Sequence, residues 1–129
     1  MKNNRVLNSL LGHMERIKAI AVTHNWQTLI SGSADKTIKI WNLARGEQLQ
    51  VLAAHQDQVN CLAIDPYDEY FASGCEDGTL TVWDIQTSER ICTMRHAWGV
   101  NAIAFSPDGD LLVSGSADET IKIWEQTVQ

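Results

Sequence analysis

Ser31-Gly32-Ser33-Ala34-Asp35-Lys36-Thr37-Ile38-Lys39-Ile40-Trp41 returns as Ser114-Gly115-Ser116-Ala117-Asp118-Glu119-Thr120-Ile121-Lys122-Ile123-Trp124, with Glu119 in place of Lys36 as the single change. A looser copy, Ser73 to Trp83, lies between them. Such self-similarity makes the chain a repeat array before it is anything else. Working outward, Trp41, Trp83 and Trp124 are spaced by 42 and 41 residues, and His13, His55 and His96 keep the same two intervals, each 28 positions ahead of its tryptophan. A period in the low forties, built from short β-prone runs without a 3.6-residue rhythm, predicts four-stranded propeller blades.

The strands follow from the runs between turn signals. In the third unit, Val100 to Phe105 is followed by Ser106-Pro107-Asp108-Gly109, where Pro and Asp preset the bend and Gly accepts positive φ. Leu111 to Ser116 and Ile121 to Trp124 are the next two strands. The second unit reads Val59–Ile64, Tyr70–Cys75, Leu80–Asp84 and Arg90–Met94; the first reads Ile17–Val22, Thr28–Ser33, Ile38–Asn42 and Gln48–Leu52. The first hairpin turn, 23–27, lacks the Pro-Asp-Gly chemistry. Five residues follow Trp124, too few for a turn and a strand, while Arg5 to Leu11 holds the place before His13 that a fourth strand holds before His55 and His96. Twelve strands are therefore expected in one domain over 1–129: an orphan outer strand in 1–12, repeats at 13–54 and 55–95, and a repeat at 96–129 lacking its outer strand.

Composition narrows the function. The chain has 129 residues, 44% of them hydrophobic, which is enough for a core. Ten basic against sixteen acidic residues give a net charge of −6, so neither nucleic acid nor a membrane surface is expected as partner. With no signal-like apolar run near the N-terminus, the expected location is cytoplasmic. Cys61, Cys75 and Cys92 lack metal-ligand spacing and read as small buried hydrophobes; His24 falls outside the period and reads as a solvated loop histidine.

These motifs resemble the WD-repeat family of β-propellers over residues 5–125: a histidine, a hydrophobic strand, a turn, Ser-Gly-Ser-x-Asp, and an aliphatic run ending in Trp. Ala54 and Arg95 stand where the family has glycine before the histidine, and Asn42 and Glu125 where it has the aspartate after the tryptophan. The resemblance implies a hydrogen-bonded line in each blade, here His13, Ser31, Asp35 and Trp41; His55, Ser73, Asp77 and Trp83; and His96, Ser114, Asp118 and Trp124. It also implies a partner-binding face at the turns near the histidine, carried by Arg16, Lys18, Gln58, Asn60, Glu76 and Asn101, at positions shared with Ala34, Gly99 and Ala117. Trp98 beside them is an aromatic anchor candidate.

Ser, His and Asp together invite a catalytic reading. A trio recurring three times at structural spacing, without a Gly-x-Ser-x-Gly elbow, points instead to a structural role, so no catalytic residue, metal or cofactor is expected. The implied function is a non-catalytic scaffold binding proteins or peptides. The alternatives are a fragment or remnant of a larger propeller without independent activity, and a propeller enzyme. Closed propellers have four to eight blades, so three blades leave apolar faces open. Two identical chains would give six blades and three would give nine, and a head-to-tail homodimer is expected to close the ring, with residues 5–11 of one chain completing the last blade of the other.

Overall fold

Alternating β-branched and small residues between turn-forming clusters fold here into antiparallel strands. The computed structural model describes residues 4–126, and the fold is all-β. Blade 1 holds β1 (Ile17–Val22), β2 (Thr28–Ser33), β3 (Ile38–Asn42) and β4 (Glu47–Leu52), hydrogen-bonded in chain order. Blade 2 repeats this with β5 (Val59–Ile64), β6 (Tyr70–Cys75), β7 (Thr79–Asp84) and β8 (Arg90–Arg95). Blade 3 has β9 (Val100–Phe105), β10 (Leu111–Ser116) and β11 (Ile121–Glu125).

Eleven strands stand among the described residues, not the twelve expected. The expected orphan, residues 5–11, follows no ladder in the single chain. A strand is defined by its partner, and within one chain the open edge at β11 is not offered to this segment.

The innermost strands β1, β5 and β9 lie side by side, and the blades fan outward from them. Two apolar seams join the blades. Between blades 1 and 2, Ile30, Ile38, Ile40, Val59 and Phe71 are buried, with Phe71 stacked on Trp83 at 5.9 Å. Between blades 2 and 3, Cys61, Ala72, Leu80, Val82, Val100 and Leu112 fill the same role. Close approach at both seams requires glycine: a Cβ on Gly32 would stand 2.5 Å from Val59 Cγ1, and one on Gly74 would stand 2.7 Å from Val100 Cγ1.

The hairpin turns at 65–69 and 106–110 put Asp68 and Gly109 at positive φ, and Trp26 takes that position in the first hairpin at φ 60°. The first hairpin lacks glycine there, and the turn is held from its neighbour: Asp68 accepts from the His24 N–H at 2.8 Å and Asn25 N–H at 3.2 Å and meets His24 Nδ1 at 2.9 Å. His24 is therefore a staple between adjacent turns as well as a solvated side chain. Cys61 and Cys75 are buried, whereas Cys92 is exposed, because it lies on the outer-edge strand β8 rather than in a seam.

Candidate partner-binding face and the network beneath it

Each blade carries a line of polar side chains under one rim. In blade 1, Trp41 Nε1 donates to Ser31 Oγ at 2.9 Å, Ser31 meets His13 Nε2 at 2.6 Å, and His13 Nδ1 meets Asp35 at 2.9 Å. An indole N–H can only donate, so the serine accepts it and gives its own proton to Nε2. That places the imidazole proton on Nδ1, facing the carboxylate. Blades 2 and 3 repeat the first two links at 2.9 and 2.7 Å in each, from Trp83 through Ser73 to His55 and from Trp124 through Ser114 to His96.

The last link varies. His96 Nδ1 lies 3.5 Å from Asp118 and 3.1 Å from Thr120 Oγ1. His55 Nδ1 meets Thr79 Oγ1 at 3.1 Å instead of Asp77, and Thr79 passes its own proton to Asp77 at 2.7 Å. A threonine two residues after each aspartate thus belongs to the line. Thr37, Thr79 and Thr120 recur with the same 42 and 41 residue intervals as the histidines, a signal present in the sequence but not used above.

Electrostatics follow from these bonds. Burial alone pushes Asp35 up, but the Thr37 hydroxyl, the Met14 N–H, His13 and the Thr37 N–H together hold it far below the ordinary carboxylate range. Asp118 is held equally low, chiefly by the Thr120 hydroxyl. Burial brings His55 down to about 4, Asp77 opposing and Arg90 adding to it. Ser31, Ser73 and Ser114 are all buried. His55, Cys75 and Asp77 offer ligand-type atoms within 4.8 Å of one another. As bonded, however, Nδ1 of His55 carries its proton toward Thr79, burial lifts the Cys75 thiol to about 11, and Arg90 and Arg95 line the adjoining opening. The polar atoms of the trio are held by hydrogen bonds to Thr79 and to one another.

Above this line lies the rim. The inner strand of each blade is bulged at one residue near its start, between Ile17 and Ala19, between Val59 and Cys61, and opposite Gly115 and Ser116. The bulged residues are Lys18, Asn60 and Asn101, three of the residues the family resemblance singled out. A bulge re-aims its side chain, and here Lys18 turns across the seam to donate to Gln58 at 2.9 Å and Asn60 at 2.6 Å. Asn60 in turn donates to Glu76 at 2.7 Å and to the Val100 carbonyl at 3.2 Å, and Arg16 reaches Gln58 at 3.4 Å. Arg16, Lys18, Gln58, Asn60 and Glu76 therefore form one polar chain across two blades. Asn101 and Trp98 stand exposed beyond it, and so does Ala117, whereas Ala34 and Gly99 are buried.

The WD40 family, described as WD domain, G-beta repeat, matches residues 4–42, 46–84 and 88–125. The chain belongs to this family. It is 42% identical over 50 residues to the WD repeat-containing protein 89 homolog of Dictyostelium discoideum, covering 39% of this chain and 14% of that protein. It is 39% identical over 49 residues to eukaryotic translation initiation factor 3 subunit I of Aspergillus niger, covering 38% of this chain and 14% of that one. Among solved structures, the RRP9 WD40 repeats superpose with a TM-score of 0.87 at 29% identity, over 90% of this chain and 37% of that chain. The matched stretches thus cover about a seventh of each of these two curated relatives, and the three sheets of this chain are propeller blades. The matched units begin ahead of each histidine, at residues 4, 46 and 88, so the family's own repeat includes the segment that precedes the blade.

Proposed function

We propose that this WD40 chain is a non-catalytic protein-interaction scaffold, acting in the cytoplasm, whose partner-binding face is the rim carrying Arg16, Lys18, Gln58, Asn60, Glu76, Trp98 and Asn101. The observation that carries it is the repeated bulge, which lifts Lys18, Asn60 and Asn101 onto one rim beside an exposed Trp98 while Ser31, Ser73 and Ser114 lie buried beneath. Mixed Arg, Lys and Glu on that rim, with an overall charge of −6, favour a protein or peptide over nucleic acid or a membrane. The relatives named above point the same way, since WD40 relatives recur as scaffold components. Recovery of a bound partner by the wild type against Trp98→Ala and Arg16→Ala tests the face, with folding checked by circular dichroism. Unchanged recovery in both variants refutes it, and turnover of a hydrolase substrate by the purified chain would overturn the non-catalytic reading.

We further propose that the open blades are closed by self-association, two copies giving six blades, with nine from three copies as the alternative. The exposed apolar residues at both ends of the array support this, as they would equally support a place within a larger propeller; the mass of the intact chain in solution separates the two.

A further inference from the structure

The middle copy of the repeat departs from the outer two in the run that ends at its tryptophan: Ile-Lys-Ile-Trp at 38–41 and 121–124 becomes Leu80-Thr81-Val82-Trp83. In blade 1 the lysine is used inside the blade. Lys39 is 8% exposed and donates to Gln48 at 2.9 Å. Lys122 holds the same place in blade 3, with Nζ 5.7 Å over the Trp124 ring and donating to the Arg95 carbonyl at 3.0 Å. Thr81 is buried and too short to do either, and Arg90 of β8 takes the position over Trp83 instead, 4.9 Å from the ring.

A short side chain where the other blades carry a long one leaves space. A cavity of about 500 Å³ opens here, lined by Arg90, Thr93 and Arg95 of β8 and by His55, Gln56 and Asp77. Its whole lining lies within residues 54–95, in blade 2 and the segment that joins it to blade 1. The bulge in β8 pairs Trp83 with Arg90 and Val82 with Cys92, which sets Arg90 on the same side of the strand as Thr93 and Arg95. Blade 1 has no such pair of arginines, since Gln48 stands at the place of Arg90 and Ala53 at that of Arg95.

Neither guanidinium lies within 4.0 Å of a carboxylate among the described residues. Arg90 is nonetheless held in place, by the Trp83 ring and by its Nη2 donating to the Ala54 carbonyl at 2.9 Å, and its other donors remain. Asp77 is committed to its own turn, accepting the Thr79 N–H at 2.9 Å and the Thr79 hydroxyl at 2.7 Å. His55 is neutral at pH 7, burial having brought it down to about 4. The lining therefore carries two positive charges and one negative, which matches a single carboxylate; a phosphate dianion would leave excess negative charge beside Asp77. We propose, resting on the scaffold reading above, that this cavity binds the side-chain carboxylate of an acidic residue in a protein or peptide partner, with Arg90 and Arg95 as its donors. Gln56 and Asp77 adjoin Gln58 and Glu76 of the rim in sequence, so a peptide crossing the rim can drop an acidic side chain into the cavity. The chain's charge of −6 offers an anion no general attraction, so the recognition is local to the arginine pair.

The probe is N-acetylglutamate N-methylamide, titrated into the isotope-labelled chain and followed by backbone amide shifts. N-acetylglutamine N-methylamide serves as the neutral isostere and inorganic phosphate as a second anion. Saturable shifts at Gln56, Thr93 and Arg95 are expected with the glutamate probe and not with the glutamine probe. Arg95→Gln, at an exposed position, is expected to weaken binding ~10-fold or more with an unchanged circular dichroism spectrum. A second variant, Ala54→Gly with Thr81→Lys and Arg90→Gln, copies into blade 2 the set Gly12, Lys39 and Gln48, which lie against one another in blade 1. It keeps the net charge, fills the cavity and is expected to abolish the shifts; if it does not fold, Arg95→Gln decides alone. No saturable response, an equal response to the glutamine probe, or undiminished binding by Arg95→Gln overturns the site. Phosphate binding more tightly than the glutamate probe overturns the choice of a carboxylate. Partner recovery with Trp98→Ala and Arg16→Ala uses other residues, so the scaffold reading stands or falls separately from this titration.

Discussion

Ser73→Ala isolates the polar line of the central blade. Ser73 is fully buried, accepts the Trp83 indole N–H at 2.9 Å and meets His55 Nε2 at 2.7 Å. Removing the hydroxyl leaves a donor and an acceptor facing a methyl group in a site too closed for water. Each orphaned buried group costs about 1–3 kcal/mol, so the substitution should destabilise by about 2–4 kcal/mol after partial relaxation. For a chain of this size that lowers the melting midpoint by about 7–15 °C. Urea titration followed by tryptophan fluorescence reads it as a lower midpoint at unchanged slope. The sharper measurement is a double-mutant cycle with Trp83→Phe. That change removes the indole donor, so the loss on adding Ser73→Ala should shrink by about 1 kcal/mol. A single-mutant loss below about 0.5 kcal/mol, or additive behaviour in the cycle, would refute the view that the line is a mutually satisfied buried network.

Two further outcomes follow from titration. His55 is depressed to about 4 in the folded chain against 6.5 ordinarily, so the unfolded state binds more protons between those values. Its contribution is complete above pH 6.5 and is lost as pH falls toward 4, giving a decline of about 1–3 kcal/mol over that window in urea midpoints; a flat profile there would refute the burial argument. Asp35 and Asp118, held low, add their loss only below the ordinary carboxylate range. Burial also raises the Cys61 thiol to about 12 and the Cys75 thiol to about 11, so a thiol reagent at neutral pH should label exposed Cys92 alone in the native chain and all three after unfolding.

The blade pattern was legible because its determinants are local. A tryptophan every 42 or 41 residues, proline-bearing turns at Pro66 and Pro107 and β-branched runs fix strand positions to within a residue: β7 begins at Thr79 rather than Leu80, and β11 ends at Glu125 rather than Trp124. What was not legible depends on neighbours in space. Whether Asn60 lies in a bulge is decided by its pairing with β6, and whether Asp77 or Thr79 faces His55 is decided by small shifts in turn geometry. Cys92 reads as apolar in the sequence, but an outer strand has no blade beyond it. His24 looked solitary because its partner Asp68 is 44 residues away and belongs to a different turn.

The same dependence explains why the conspicuous motif and the recognition surface separate. Residues that repeat without change, such as Ser31, Asp35 and Trp41, face one another inside a blade, and any substitution there orphans a buried partner. Residues that vary with blade number, Lys18, Asn60 and Asn101, sit at bulges where the ladder is already broken and a side chain can change without disturbing strand pairing. Lys18 and Asn60 are tied together across the first seam, whereas Asn101 is exposed at the edge of the open one. The rim is therefore preorganised over two blades and incomplete on the third. The tie is testable: Lys18→Met, which keeps the stem but removes the ammonium that donates to Gln58 and Asn60, should lower partner recovery more than Asn101→Ala does. Full recovery by Lys18→Met would show instead that the tie across the first seam contributes nothing to recognition.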